Sequence, residues 1–269
     1  MSEIRPAAVA GMFYPDNETS LKGMVQQFLA QATSSGPAPR AIIAPHAGYI
    51  YSGPIAANAY HLLENSSQNI NRVVLLGPSH RVPLLGLAAT SASSFATPLG
   101  LVEVDQDKIK KLTKLRQVKL MDEAHSMEHS LEVQLPFLQT ILTNFKLIPL
   151  VVGDASARKV CEVLELACQG PIQDQIQDQQ TLIVISSDLS HYHDYATANK
   201  LDTQTSQAIE NLDGNKIGYE DACGRTAVNG LLMYASTHSL KAEIIDQRNS
   251  GDTAGDKEQV VGYGAYAFR

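Results

Sequence analysis

The sequence predicts one α/β domain spanning residues 1–269, with a central, mostly parallel or mixed sheet flanked by helices. Three observations support this. Short apolar runs rich in β-branched residues, bounded by Gly, Pro and Ser, recur at 40–45, 73–78, 145–152 and 182–187; such runs read as strands buried on both faces. Segments of ten to fifteen residues with helical spacing separate them, which implies βαβ units. No linker, long repeat or composition shift divides the 269 residues, a length suited to one large α/β domain or two small ones.

The opening segment, Arg5-Pro-Ala-Ala-Val-Ala-Gly-Met-Phe-Tyr-Pro15, is irregular but apolar and should pack on the domain. Asp16 or Asn17 can cap a helix running to about Ala32, with Leu21, Met24, Val25, Phe28 and Leu29 on one face. After the first strand, Ser52-Gly-Pro54 should start a helix to about Leu63, with Pro54 in its first turn. Residues 84–104 read as shorter strands around a Thr97-Pro-Leu-Gly100 turn. Helices are expected at about 105–115, at 131–142 (Leu131, Leu135, Leu138 and Leu142 in helical spacing), at 158–167 and at 196–211. Gln173 to Gln180 is repetitive and polar, an exposed loop or frayed helix. An apolar helix should follow Cys223-Gly-Arg-Thr226 and run to about Ala235, and strands at 241–247 and 259–268 close the chain.

Apolar residues make up 44% of the chain, enough for a sizeable core, and the net charge is −7. The basic cluster from Lys108 to Lys119 falls in an expected helix and reads as a solvated face, so nucleic-acid binding is disfavoured. The amino terminus lacks the basic and apolar stretches of a signal peptide, and no apolar run approaches the ~20 residues that cross a bilayer. Three cysteines in a long chain do not suggest a disulfide framework. A cytoplasmic location is expected.

Three of the buried runs deliver a histidine at their carboxyl ends: His46 after Pro45, His80 after Ser79, and His191 after Ser186-Ser-Asp188. In open α/β sheets the ligand crevice lies beyond that edge, so the three are expected to meet. Imidazole ligates iron, copper, zinc or nickel. His61 and His238 lie in helical or loop contexts and read as surface residues. Asp188 can cap its own turn or orient His191, as a carboxylate beside a ligating imidazole does. His193 is placed to take the same role as His191. Cys161 and Cys168 read as small core hydrophobes. Cys223 opens a helix, where N–H groups and the dipole lower a thiol pKa; it can be a metal ligand or a nucleophile with a histidine base. Glu128 and His129, at another helix start, are candidates to support the site, although a capping role explains Glu128 equally well.

The same segments resemble the Memo family, called protein B of the AmmeMemoRadiSam system in prokaryotes. The matching stretches are Arg5 to Pro15, Pro45-His-Ala-Gly-Tyr49 with Ser52-Gly53, Gly77-Pro-Ser-His80, Glu128-His-Ser-Leu-Glu-Val-Gln-Leu-Pro136, Ser186-Ser-Asp-Leu-Ser-His191, Cys223-Gly-Arg225, Asn249-Ser-Gly-Asp252 and Val260-Val-Gly-Tyr263. They run in order from end to end. The resemblance implies a fold like that of class III (LigB-type) extradiol dioxygenases. It also implies metal binding by His46, His80 and Cys223, with Asp188 and His191 in the same pocket. Iron or copper is the implied cofactor, and a radical-SAM enzyme and an AMMECR-type protein are the implied pathway partners. The dioxygenase relatives use two histidines and a carboxylate; a thiolate in third place argues against ring cleavage, because it alters the metal's electronics and is itself oxidisable. The expected function is a metal-dependent redox protein of unknown substrate. The alternatives are a peptide- or anion-binding adaptor, as animal relatives have been described for phosphotyrosine peptides, and a Cys-His hydrolase.

Overall fold

The computed structural model describes residues 3–169 and 181–269. The first half of the chain carries β1 (Ile4–Arg5), α1 (Glu18–Gln31), β2 (Ala41–Ala44), α2 (Tyr49–His61), β3 (Arg72–Pro78), β4 (Leu87–Ala89), β5 (Ser94–Thr97), β6 (Gly100–Glu103), α3 (Gln106–Leu112) and β7 (Val118–Leu120). Then come α4 (Glu123–Ser126), α5 (Leu135–Ile141), β8 (Lys146–Val152), α6 (Ala157–Ala167), β9 (Thr181–Ser186) and β10 (His191–His193). The chain closes with α7 (Tyr195–Glu210), α8 (Arg225–Thr237), β11 (Ala242–Asn249) and β12 (Val260–Phe268).

Among the described residues, nine strands form a mixed sheet in the order β10-β12-β2-β9-β3-β8-β4-β7, with β11 paired to β12. Its centre, β2-β9-β3-β8, is parallel. Those four strands carry the apolar runs, and every residue of β2 and β9 is buried, as expected of strands covered on both faces. The crossover from β2 to β3 passes β9 in one direction and that from β8 to β9 passes β3 in the other. The crossover helices α2 and α6 therefore cover opposite faces. Helices α1, α2 and α5 pack together, and α3, α6 and α8 form the other layer. A small separate sheet, β1-β5-β6, accounts for part of the 84–104 region. One hydrophobic core runs from Val9 to Phe268, and no described helix is long and apolar enough to cross a membrane.

Several local expectations are corrected. Helix α2 starts at Tyr49, whose N–H bonds the Phe13 carbonyl at 2.8 Å, so Pro54 lies inside the helix rather than in its first turn. The 131–142 pattern divides into a 3₁₀ turn, Glu132–Gln134, and a short α5, with Pro136 suited to the latter's start. Lys108 is buried, not solvated: its Nζ donates to the carbonyls of Leu166 at 3.2 Å and Gln169 at 2.6 Å, closing the carboxyl end of α6. His238 is part-buried, ion-paired with Glu165 at 2.8 Å and packed on Tyr234. The repetitive 173–180 segment lies outside the described residues. Asn17 is the α1 cap, accepting the Ser20 N–H.

Register sets up the site. Ala44 of β2 pairs with Ser186 of β9, and Leu76 of β3 pairs with Ile185. The three strands therefore end together, and His46, Asp188 and His80 all leave from one edge of the sheet. Two glycines allow close approach there. A Cβ on Gly77 would meet Ser130 Oγ at 2.7 Å, and one on Gly224 would meet Ser187 Cβ at 2.7 Å. The second contact is the one that brings the start of α8, with Cys223, against the end of β9.

Candidate metal centre

His46 Nε2, His80 and Cys223 Sγ converge beyond the carboxyl edge, their ligand atoms all within 4.8 Å of one another. The two imidazoles meet edge to face, 5.2 Å between centroids. Cys223 Sγ lies 3.4 Å from His46 Nε2. Nitrogen at ~2.1 Å and sulfur at ~2.3 Å from one tetrahedral ion would lie about 3.6 Å apart, so the donor set fits a soft or borderline transition metal.

The surrounding hydrogen bonds assign the tautomer of each ring. Gln134 Nε2 lies 2.9 Å from the Pro45 carbonyl, which only accepts, so this atom is the amide nitrogen, and it also donates to Ser186 Oγ at 2.8 Å. Ser186 in turn donates its single proton to the Ser130 carbonyl at 2.5 Å. His46 Nδ1, 2.9 Å from the same Ser186 Oγ, must therefore be the donor. Its Nε2 is left as a bare lone pair beside the thiol.

His80 is fixed in the same sense by Glu128. The carboxylate accepts from His80 Nδ1 at 2.8 Å, from the His80 backbone N–H at 2.6 Å and from Ser130 N–H at 2.9 Å. Burial alone would raise the Glu128 pKa. The His80 hydrogen bond and charge, with the two backbone donors, outweigh it and hold the carboxyl at about 2. An ionised acceptor at Nδ1 leaves His80 Nε2 free to ligate. Burial, then the neighbouring His80 and His129, push the His46 pKa well below its usual value, so the ring stays neutral.

Asp188 is buried and accepts the His46 backbone N–H at 2.7 Å, tying the end of β9 to that of β2. It does not hold the His191 ring: His191 Nδ1 lies 2.8 Å from the Leu189 carbonyl, which takes the orienting role expected of Asp188. His191, Asp188 and His129 border a chamber of about 470 Å³, and His193 does not. His129 stacks on His80 at 4.6 Å and forms with His80 and Glu128 a second, overlapping donor cluster. On the Cys223 side lies a separate cleft of about 490 Å³, walled by Val82, Leu84, Val152 and Ala227.

A family profile described as "Memo-like protein" matches residues 5–267. The chain belongs to the Memo family. It is similar to a MEMO1 family protein of Nitrosopumilus maritimus, 34% identical over 98% of this chain and 99% of that one. A MEMO1 family protein of Archaeoglobus fulgidus is 34% identical over 99% and 100% of the two chains, and one of Aquifex aeolicus 35% over 97% of each. Among solved structures, an uncharacterized protein from Escherichia coli K12 aligns with 83% of this chain and 98% of its own, at 13% identity and a TM-score of 0.49.

In this Memo chain the thiol departs from the helix-start expectation. Burial, then the charge of Asp188, push the Cys223 pKa up, and the N–H groups of Asp188 and Gly224 only partly offset them. The thiol is therefore held in its protonated form. Ser186, Gln134 and Ser130, which orient His46, stand in the stretches that carry the family resemblance but received no role from the sequence, because small polar residues inside or beside apolar runs look like spacers.

Proposed function

We propose that this Memo-family chain holds one iron or copper ion through His46 Nε2, His80 Nε2 and Cys223 Sγ and serves a redox reaction. The observation that supports the reading most is the pair of imidazoles whose Nδ1 atoms are already committed as donors, each with a ligand atom within 4.8 Å of one sulfur. Such outer hydrogen bonds orient ligating histidines. A bound ion of this kind would supply Lewis acidity and one-electron chemistry. The chain's own part is to keep the His46 ring neutral, to hold the His80 ring by Glu128, to surrender one thiol proton, and to border the centre with His191 and His129 as proton-handling groups within the chamber.

The Cys-His hydrolase reading is less well supported. It needs a thiolate and an imidazolium side by side, whereas burial disfavours both charges here. A cation stabilises the thiolate directly and removes that objection.

The test is anaerobic purification, loading with Fe(II) or Cu(I), removal of excess metal and elemental analysis. One ion per chain is expected in the parent, with occupancy lost in His46→Ala and His80→Ala and reduced in Cys223→Ser, most for the soft Cu(I). A parent that retains neither metal, or variants that retain as much as the parent, would overturn the reading.

A further inference from the structure

The chamber beside the metal centre has a chemical character of its own. Its wall carries the rings of Phe13, Tyr51, Tyr192 and Tyr263 and the carboxyls of Asp188 and Asp256, while no Lys or Arg among the described residues borders it. The other titratable groups facing it are the imidazoles of His129 and His191. Aromatic faces carry negative quadrupole potential that attracts cations, ammonium groups above all. Carboxyl groups reinforce that sign, and the whole chain carries a net charge of −7. An anion entering would meet two carboxyl groups and no guanidinium or ammonium partner. The volume, about 470 Å³, is that of a small-molecule site.

Tyr192 gives an independent indication. It stands in the left-handed region, φ 62°, at a register shift in β10 between His191 and His193. A non-glycine residue held there costs roughly 1–3 kcal/mol, and such strain gathers at ligand sites. Packing does not recover the cost, because the side chain is 73% exposed. Its ring contact is with His191, edge to face at 5.8 Å. The bulge thus spends backbone strain to present an aromatic ring at the chamber beside the histidine.

We infer that this chamber binds a small organic cation, a molecule carrying a protonated amine on a flat body, and not an anionic phospho-ligand. This deepens the reading of the metal centre by giving its substrate class, and it separates that reading from an adaptor that captures phosphorylated peptides.

Four probes test it on the full chain by calorimetry at pH 7, metal-free and again after Cu(I) loading: tyramine, its neutral alcohol analogue tyrosol, the anion 4-hydroxyphenylacetate, and phenyl phosphate. The first three share a ring and differ mainly in charge. Tyramine is expected to bind at least about tenfold more tightly than tyrosol, with both anions weaker still. Asp256→Asn and Tyr192→Ala should each weaken tyramine several-fold with unchanged circular dichroism and Cu(I) affinity. Equal binding of the charge series, tighter binding of either anion, or no binding of tyramine would overturn the inference. None of those results would alter metal occupancy, so the two readings fail separately.

Discussion

Glu128 and Glu132 lie four residues apart in one segment, are both buried, and serve opposite ends. Glu132 accepts from the Arg5 guanidinium, the Tyr14 hydroxyl and the backbone N–H groups of Ala8 at 2.8 Å and Val9 at 3.0 Å. All of these donors belong to the opening segment. Arg5 also reaches the carbonyls of His125 at 3.0 Å and Glu128 at 2.6 Å, so the Glu132 cluster closes on itself and staples residues 5–14 beneath the site. Glu128 is equally well supplied, but one of its donors is the His80 ring, which also offers a ligand atom within 4.8 Å of the Cys223 sulfur. A buried carboxylate whose partners are all satisfied holds the fold. One whose partner still has capacity to bind prepares a site.

The comparison is broken most forcefully at Glu132. Glu132→Gln leaves Arg5 buried without its counter-charge, which typically costs about 3–5 kcal/mol. Urea unfolding should show that loss, while the metal affinity of the molecules that remain folded should stay within about threefold of the parent. A large loss of affinity with little loss of stability would mean that the two carboxylates had been assigned the wrong way round.

The next largest effect concerns pH. Binding a metal through Cys223 releases one proton from a thiol whose pKa is raised, so affinity should increase about tenfold per pH unit on going from 6 to 8. His46 does not oppose this, because its pKa lies below that range. Competition titrations of Cu(I) should show the slope in the parent and a flatter dependence in Cys223→Ser. An unchanged slope in the variant would remove Cys223 from the ligand set.

Glu128→Gln sharpens the comparison from the other side. It keeps the shape but loses the charge that fixes His80, so metal affinity should fall about 10–100-fold. The acid limb of stability should change with it. The parent carboxyl, ordinarily near 4.5, is held at about 2 in the fold; its contribution is present above about pH 4.5 and disappears as pH falls towards 2. Acid unfolding followed by circular dichroism should lose that component in the variant.

The smallest effect is at Tyr192. Tyr192→Gly relieves the left-handed backbone and should stabilise the fold by about 1 kcal/mol, partly offset by glycine's greater freedom when unfolded. A destabilised variant would show that the ring packs more productively than its exposure indicates.

Much of this was legible in the residues. The parallel centre followed from β-branched runs with punctuating Gly and Pro, and the meeting of His46, His80 and Cys223 in space was expected from strand ends and a helix start. What escaped reading depends on contacts between distant segments. Ser186 and Gln134 gain meaning only when β9 lies beside β2. Glu132 matters only when Arg5 arrives from 127 positions away. The start of α2 depends on a carbonyl contributed by Phe13. The helix-start effect on Cys223 was read correctly in sign, but burial and Asp188 outweigh it, and neither is visible locally. His191 and His193 were indistinguishable until the bulge at Tyr192 separated them.

The most direct test of the central claim is the protonation state of the two rings in metal-free protein, read by long-range ¹⁵N–¹H correlation NMR on histidine-labelled chain at pH 7 and followed through a Cu(I) titration. His46 should appear as a neutral ring protonated at Nδ1, His80 should carry a proton on Nδ1 against Glu128, and one equivalent of Cu(I) should shift both Nε2 resonances. A His46 ring protonated at Nε2, a His80 ring without a proton on Nδ1, or Nε2 resonances that ignore the metal, would contradict the account.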